Sequence, residues 1–152
     1  MKRDEIVSVL NDLIEVCKDG EKGFTACLES ASDRHFELKA MLADRQFAYA
    51  QAATELQELV RFFGSDPEDS GTMTGALHRG WVNVKTAIVG KDDEIVLAEC
   101  KHGEDSAIRA YRKVLAYDLP IDIRMLVERQ LQNTIDNNEV IKALHEDIKV
   151  SA

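Results

Sequence analysis

Four long stretches of this chain place apolar residues at alternating steps of three and four, a spacing that leaves few folds open. In the first, Ile6, Leu10, Leu13, Cys17, Gly20, Phe24, Cys27 and Ala31 share one stripe of an α-helix. The second carries Leu38, Leu42, Arg45, Tyr49, Ala52, Leu56, Leu59 and Phe63, and the third Leu97, Cys100, Glu104, Ala107, Tyr111 and Val114. The fourth reads Ile123, Val127, Gln130, Thr134, Asn137, Ile141, Leu144 and Ile148, with Leu131 and Ile135 widening its apolar face. The spacing predicts helices over about residues 3–31, 34–63, 91–117 and 120–148. At 1.5 Å per residue each is roughly 40–45 Å long, far beyond the average globular helix. Long helices of similar length, each with one apolar stripe, bury those stripes together as an all-α four-helix bundle.

The breaks between stripes set the topology. Ser32-Asp33 offers short oxygen-bearing side chains suited to cap the second helix, and Leu119-Pro120 forces a turn before the fourth. Both connections are short, so each joins an antiparallel pair. Between Gly64 and Gly90 lies a longer connection. It opens with the turn-forming run Ser65-Asp66-Pro67-Glu68-Asp69-Ser70-Gly71 and continues into a short helix predicted at 74–89, containing Leu77 and Trp81. Asp92-Asp93-Glu94 then sets carboxylates at the next helix's amino terminus, where its dipole favours them. The expected architecture is two antiparallel hairpins joined by one long crossover, within a single domain over 1–152.

Composition narrows the partners. With 28 Asp and Glu against 19 Lys and Arg, the formal net charge is −9 and no basic tail is present. Nucleic acid and anionic membrane surfaces, which need clustered Lys and Arg, are not expected partners. The start, Met1-Lys2-Arg3-Asp4-Glu5, has no apolar signal-peptide core, and no apolar run reaches the 18 residues of a membrane span, so a cytoplasmic location is expected. Cys17, Cys27 and Cys100 show no CxxC pairing and sit within the apolar stripes, as buried reduced thiols do.

A bundle's core stripe should be apolar, so polar interruptions are informative. Arg45 interrupts the second stripe, Glu104 the third, and Gln130 and Asn137 the fourth, while Glu21 follows Gly20 on the first. Counting twelve residues to either side of the turn near residue 33 sets Glu21 opposite Arg45, so these two are expected to pair. The crossover topology brings Glu104 and the Asn133–Asn137 segment to the same level. The expectation is a structural polar layer of Glu21, Arg45, Glu104, Gln130 and Asn137, since buried charge is tolerated when paired and hydrogen-bonded. His35 and His145, near helix ends, are expected to face solvent, and His78 falls in the crossover.

Several strings carry a family resemblance. Asp19-Gly20-Glu21-Lys22-Gly23-Phe24, Gly75-Ala76-Leu77-His78-Arg79-Gly80-Trp81, Glu99 with Gly103-Glu104-Asp105, and Leu119-Pro120 together resemble a bacterial family of ferritin-like four-helix-bundle proteins of unknown function. The resemblance spans about residues 4–146 and implies a ferritin-like fold in the bacterial cytoplasm, with no established reaction. Ferritin-like proteins build dinuclear metal sites at mid-bundle from a Glu on each of two helices and Glu-x-x-His on each of the other two. The second helix here has no Glu-x-x-His and carries Arg45 instead, and the fourth offers Asn133, Asn137 and Asn138. No cofactor is therefore expected. The alternative is a degenerate metal-binding protein or oxidase holding iron or manganese with Glu21, Glu99, His102 and Glu104.

Gly20 and Gly23 lie inside a helix, where each costs up to about 1 kcal/mol relative to alanine, so a close approach by another helix or a large ring is expected there. Trp81 is the candidate ring, with Leu77 beside it, packing on the bundle or on a second subunit. The expected role is a non-enzymatic interaction protein that self-associates as a homo-oligomer or binds a protein partner.

Overall fold

The computed structural model describes residues 1–68, 81 and 92–151. They form four helices: α1 Arg3–Ser30, α2 Phe36–Phe62, α3 Asp93–Leu115 and α4 Ile121–Ser151. The predicted crossover helix at 74–89, with Leu77, lies outside the described residues except for Trp81.

The helix ends explain small shifts from the predicted bounds. Helix α2 begins at Phe36 with His35 at its N-cap and no side-chain cap bond, so Ser32-Asp33 does not cap it. Ser32 turns instead to the start of α3: its backbone N–H donates to Asp93 Oδ1 at 2.9 Å and its hydroxyl to Oδ2 at 2.5 Å. His35 Nδ1 joins the same carboxylate at 2.6 Å, which corrects the expectation of a solvent-facing His35. Burial raises the Asp93 pKa, but the bonds from Ser32 and His35 outweigh it and hold the carboxyl below its ordinary value. Asp92 caps α3 by accepting from the Glu94 N–H at 3.0 Å. At the far end of α2, Gly64 adopts φ +79°. Gly64 N–H donates to the Arg61 carbonyl and Ser65 N–H to the Val60 carbonyl, a Schellman stop that needs a residue tolerant of positive φ.

These end contacts give the chain's path. The exit from α2 lies at the start of α1, where Arg3 Nε donates to the Phe63 carbonyl, whereas the entry to α3 lies at the end of α1, where Asp93 meets Ser32. The end of α2 and the start of α3 therefore lie at opposite ends of the bundle. Helices α1 and α3 run antiparallel, as do α2 and α4, where Arg45 meets Thr134 and Ala52 meets Gln130. The order is up-down-down-up, with α2 and α3 on one diagonal. Helix α1 packs along α2 and α3 along α4, α1 also lies on α3, and α2 touches α4 only sparsely. The core runs along the axis through residues such as Leu10, Ile14, Leu42, Leu56, Leu97 and Ile141, all fully buried. No described helix is long and apolar enough to cross a membrane.

Candidate functional site

Glu104 stands on the core stripe of α3 with 0% of its side chain exposed. Its Oε1 accepts from the Tyr49 hydroxyl, and its Oε2 accepts from Asn137 Nδ2 at 2.8 Å. Arg45, one turn before Tyr49 on α2, brings Nε to 3.2 Å from Oε2. That N–H makes no aligned hydrogen bond, so the contact is Coulombic more than directional. The guanidinium also lies 4.8 Å from the centroid of the Tyr49 ring and reaches Thr134 Oγ1 at 3.5 Å. Burial raises the Glu104 pKa, and Arg45, Tyr49 and Asn137 pull against it without cancelling it. Burial likewise pushes Tyr49 well above the ordinary phenol value, with the Glu104 charge adding to it.

A second cluster adjoins the first. The Tyr111 hydroxyl donates to Gln130 Oε1 at 2.8 Å and lies 3.3 Å from Cys17 Sγ. Gln130 Nε2 spans to the Ala52 carbonyl at 3.3 Å and to Glu55 at 3.1 Å, and Arg129 closes on Glu55 at the surface. Burial pushes the Cys17 thiol up to about 12. Where α2 and α4 separate, a small polar cleft of about 90 Å³ opens onto Arg45, Glu55, Gln130 and Thr134. A larger groove of about 410 Å³ runs between α1 and α3, with an apolar floor that includes Leu13 and Val114, Asp12 and Glu15 on one lip and Arg109 and Lys113 on the other.

Of the five predicted layer residues, Arg45, Glu104 and Asn137 come together, and Gln130 belongs to the adjoining cluster around Tyr111. Glu21 joins neither. It is half-buried on the flank of α1, 3.8 Å from Lys18, and Arg45 pairs with Glu104. One residue past the stripe is 100° around the helix, enough to carry Glu21 off the axis. Tyr49 and Tyr111 occupy stripe positions that read as plain core; only their register opposite Glu104 and Gln130 marks them as polar partners. The alternative metal set does not converge either. His102 is exposed, Glu99 half-buried and Glu104 committed to α2 and α4. Among the described residues no three His, Cys, Asp or Glu side chains gather as a metal ion requires.

Each of the two helix glycines faces a ring, but only Gly23 faces the expected Trp81; Gly20 faces Tyr49. A Cβ on Gly20 would stand 2.8 Å from the Tyr49 ring, and one on Gly23 would stand 2.2 Å from the Trp81 indole. Gly103 on α3 faces the other edge of the same indole, where a Cβ would stand 2.1 Å away. Trp81 thus lies over both α1 and α3 within the same chain, and Phe24 meets it edge-on at 5.1 Å. Beside it, Asp19 is buried with Oδ2 unpartnered among the described residues; desolvation raises its pKa to about 7, against the opposing pull of Lys22.

The order and directions of the four helices are those of a ferritin-like four-helix bundle. A solved structure of a mutant of Mycobacterium smegmatis Dps1 is similar over 94% of this chain and 96% of that one, with a TM-score of 0.80 and 11% identity. That likeness is one of fold. A family model described as "Domain of unknown function (DUF2383)" matches residues 5–117. The chain belongs to that family. No curated protein matches it in sequence.

Proposed function

We propose that this protein is a non-enzymatic, self-associating helical bundle of the bacterial cytoplasm in which an ion pair occupies mid-bundle. The observation that carries this reading is the state of Glu104: fully buried, with both carboxylate oxygens spent on Tyr49, Asn137 and Arg45. A carboxylate so engaged has little left for substrate or cation. Self-association is supported by α2, whose outward side exposes Phe36, Phe47 and Phe62 at 80%, 64% and 83%. Large exposed apolar side chains on a soluble helix are the material of interfaces.

Two measurements test the reading. Elemental analysis of protein purified from iron- and manganese-supplemented cells should find neither metal near one equivalent; a stoichiometric metal lost in Glu104→Ala would overturn the structural role of the layer. Light scattering should give a mass above 17.0 kDa that falls to one chain in Phe47→Asp. A wild-type monomer at micromolar concentration would remove self-association.

A further inference from the structure

The antiparallel register of α1 on α3 is fixed by three independent contacts. Cys17 meets Tyr111 at 3.3 Å, Gly23 and Gly103 face the same indole, and Ser32 is bound by Asp93. In an antiparallel pair, opposed residues keep a nearly constant sum of positions, which for these three pairs is 128, 126 and 125. Cys27 and Cys100 sum to 127, between the last two pairs. Both are on the core stripes and both are 0% exposed, and, after burial, Cys27 is among the neighbours that raise the pKa of the Cys100 thiol. Among the three free cysteines they form a pair, while Cys17 contacts Tyr111.

We propose that Cys27 and Cys100 are a buried oxidisable dithiol, a modification site at which a peroxide closes a disulfide between the α1–α2 and α3–α4 hairpins. One thiol loses its proton and its sulfur attacks a peroxide oxygen; the O–O bond breaks, the S–O bond of a sulfenic acid forms, and hydroxide leaves to take up a proton as water. The second sulfur then attacks the sulfenic sulfur; the S–S bond forms, the S–O bond breaks, and the departing oxygen leaves as water with the second thiol's proton. Two thiols and one hydrogen peroxide become one disulfide and two waters. Because burial disfavours thiolate in Cys100, the first step is slower than for an exposed thiol. The product joins covalently two hairpins that otherwise share only the crossover. Closing so long a loop restricts the unfolded chain and raises stability.

The test treats the full chain with hydrogen peroxide, then counts thiols by alkylation after denaturation. Free thiols should fall from three to one, the intact mass should drop by about 2 Da, the melting temperature should rise, and dithiothreitol should reverse all three changes. Trypsin separates the cysteines into peptides 4–18, 23–34 and 92–101, and the cross-linked product should join the second to the third. Cys17→Ala should keep the two-thiol loss, and Cys100→Ala should abolish it. The tryptic map needs no variant, so the test stands even where a substitution weakens the fold. Three free thiols after prolonged oxidation, a link through Cys17, or disulfides between chains would each overturn the proposal.

Discussion

Arg45 on α2 and Glu104 on α3 approach to 3.2 Å along the bundle's diagonal, with side chains 6% and 0% exposed. Removing one partner strands the other charge in the core. Glu104→Ala is expected to cost about 3–5 kcal/mol, whereas the double substitution Arg45→Met with Glu104→Met should recover most of that loss. Chemical denaturation of both variants checks this, and a double variant as weak as the single would mean that the layer contributes through its hydrogen bonds more than its charges.

Asp19 predicts an inverted pH response. Its carboxyl has an ordinary pKa of 3.8 and is raised to about 7 in the folded chain. A raised acid binds its proton more tightly when folded, so its contribution is favourable below both values and is lost as pH rises from about 4 to about 7. Asp19→Asn should therefore stabilise little at pH 4 and by about 2 kcal/mol at pH 8, allowing for partial water access. Equal shifts in melting temperature at the two pH values would contradict the assignment.

The indole seat is testable by fluorescence, because Trp81 is the chain's single tryptophan. Gly23→Ala and Gly103→Ala each drive a methyl into the ring. Both are expected to red-shift the emission and lower stability, and Trp81→Ala, losing a partly buried ring, should cost about 3 kcal/mol. Unchanged emission in both glycine variants would place the ring elsewhere.

Asp93 holds the α1–α2 turn from the start of α3 through Ser32 and His35. Asp93→Ala should cost about 1–2 kcal/mol by leaving these donors unmatched. Amide exchange at the Ser32 N–H reads the effect locally and should accelerate more than exchange in mid-α1.

Periodicity made the helices legible: four stripes of three-and-four spacing located α1 to α4 within a few residues, and the crossover followed from one long connection between two short ones. The layer was legible in part. Arg45, Glu104, Gln130 and Asn137 stand out as polar residues on apolar stripes, but counting from a turn gives height along a bundle and not azimuth, so Glu21 shares the height of Arg45 without facing it. Tyr49 and Tyr111 were hidden because a tyrosine on a core stripe reads the same whether or not its hydroxyl has a partner. The Asp93 clasp joins positions 61 residues apart in sequence, and no local pattern encodes such a contact.

The diagonal position of Arg45 and Glu104 also bears on how the chain assembles. Each hairpin can zip from its own short turn, yet the two charges belong to different hairpins and can neutralise each other only after docking. A slip of one residue moves them about 1.5 Å along the axis and rotates both off it. A misdocked pair of hairpins would bury two unmatched charges, so the ion pair sets an energetic cost on other registrations.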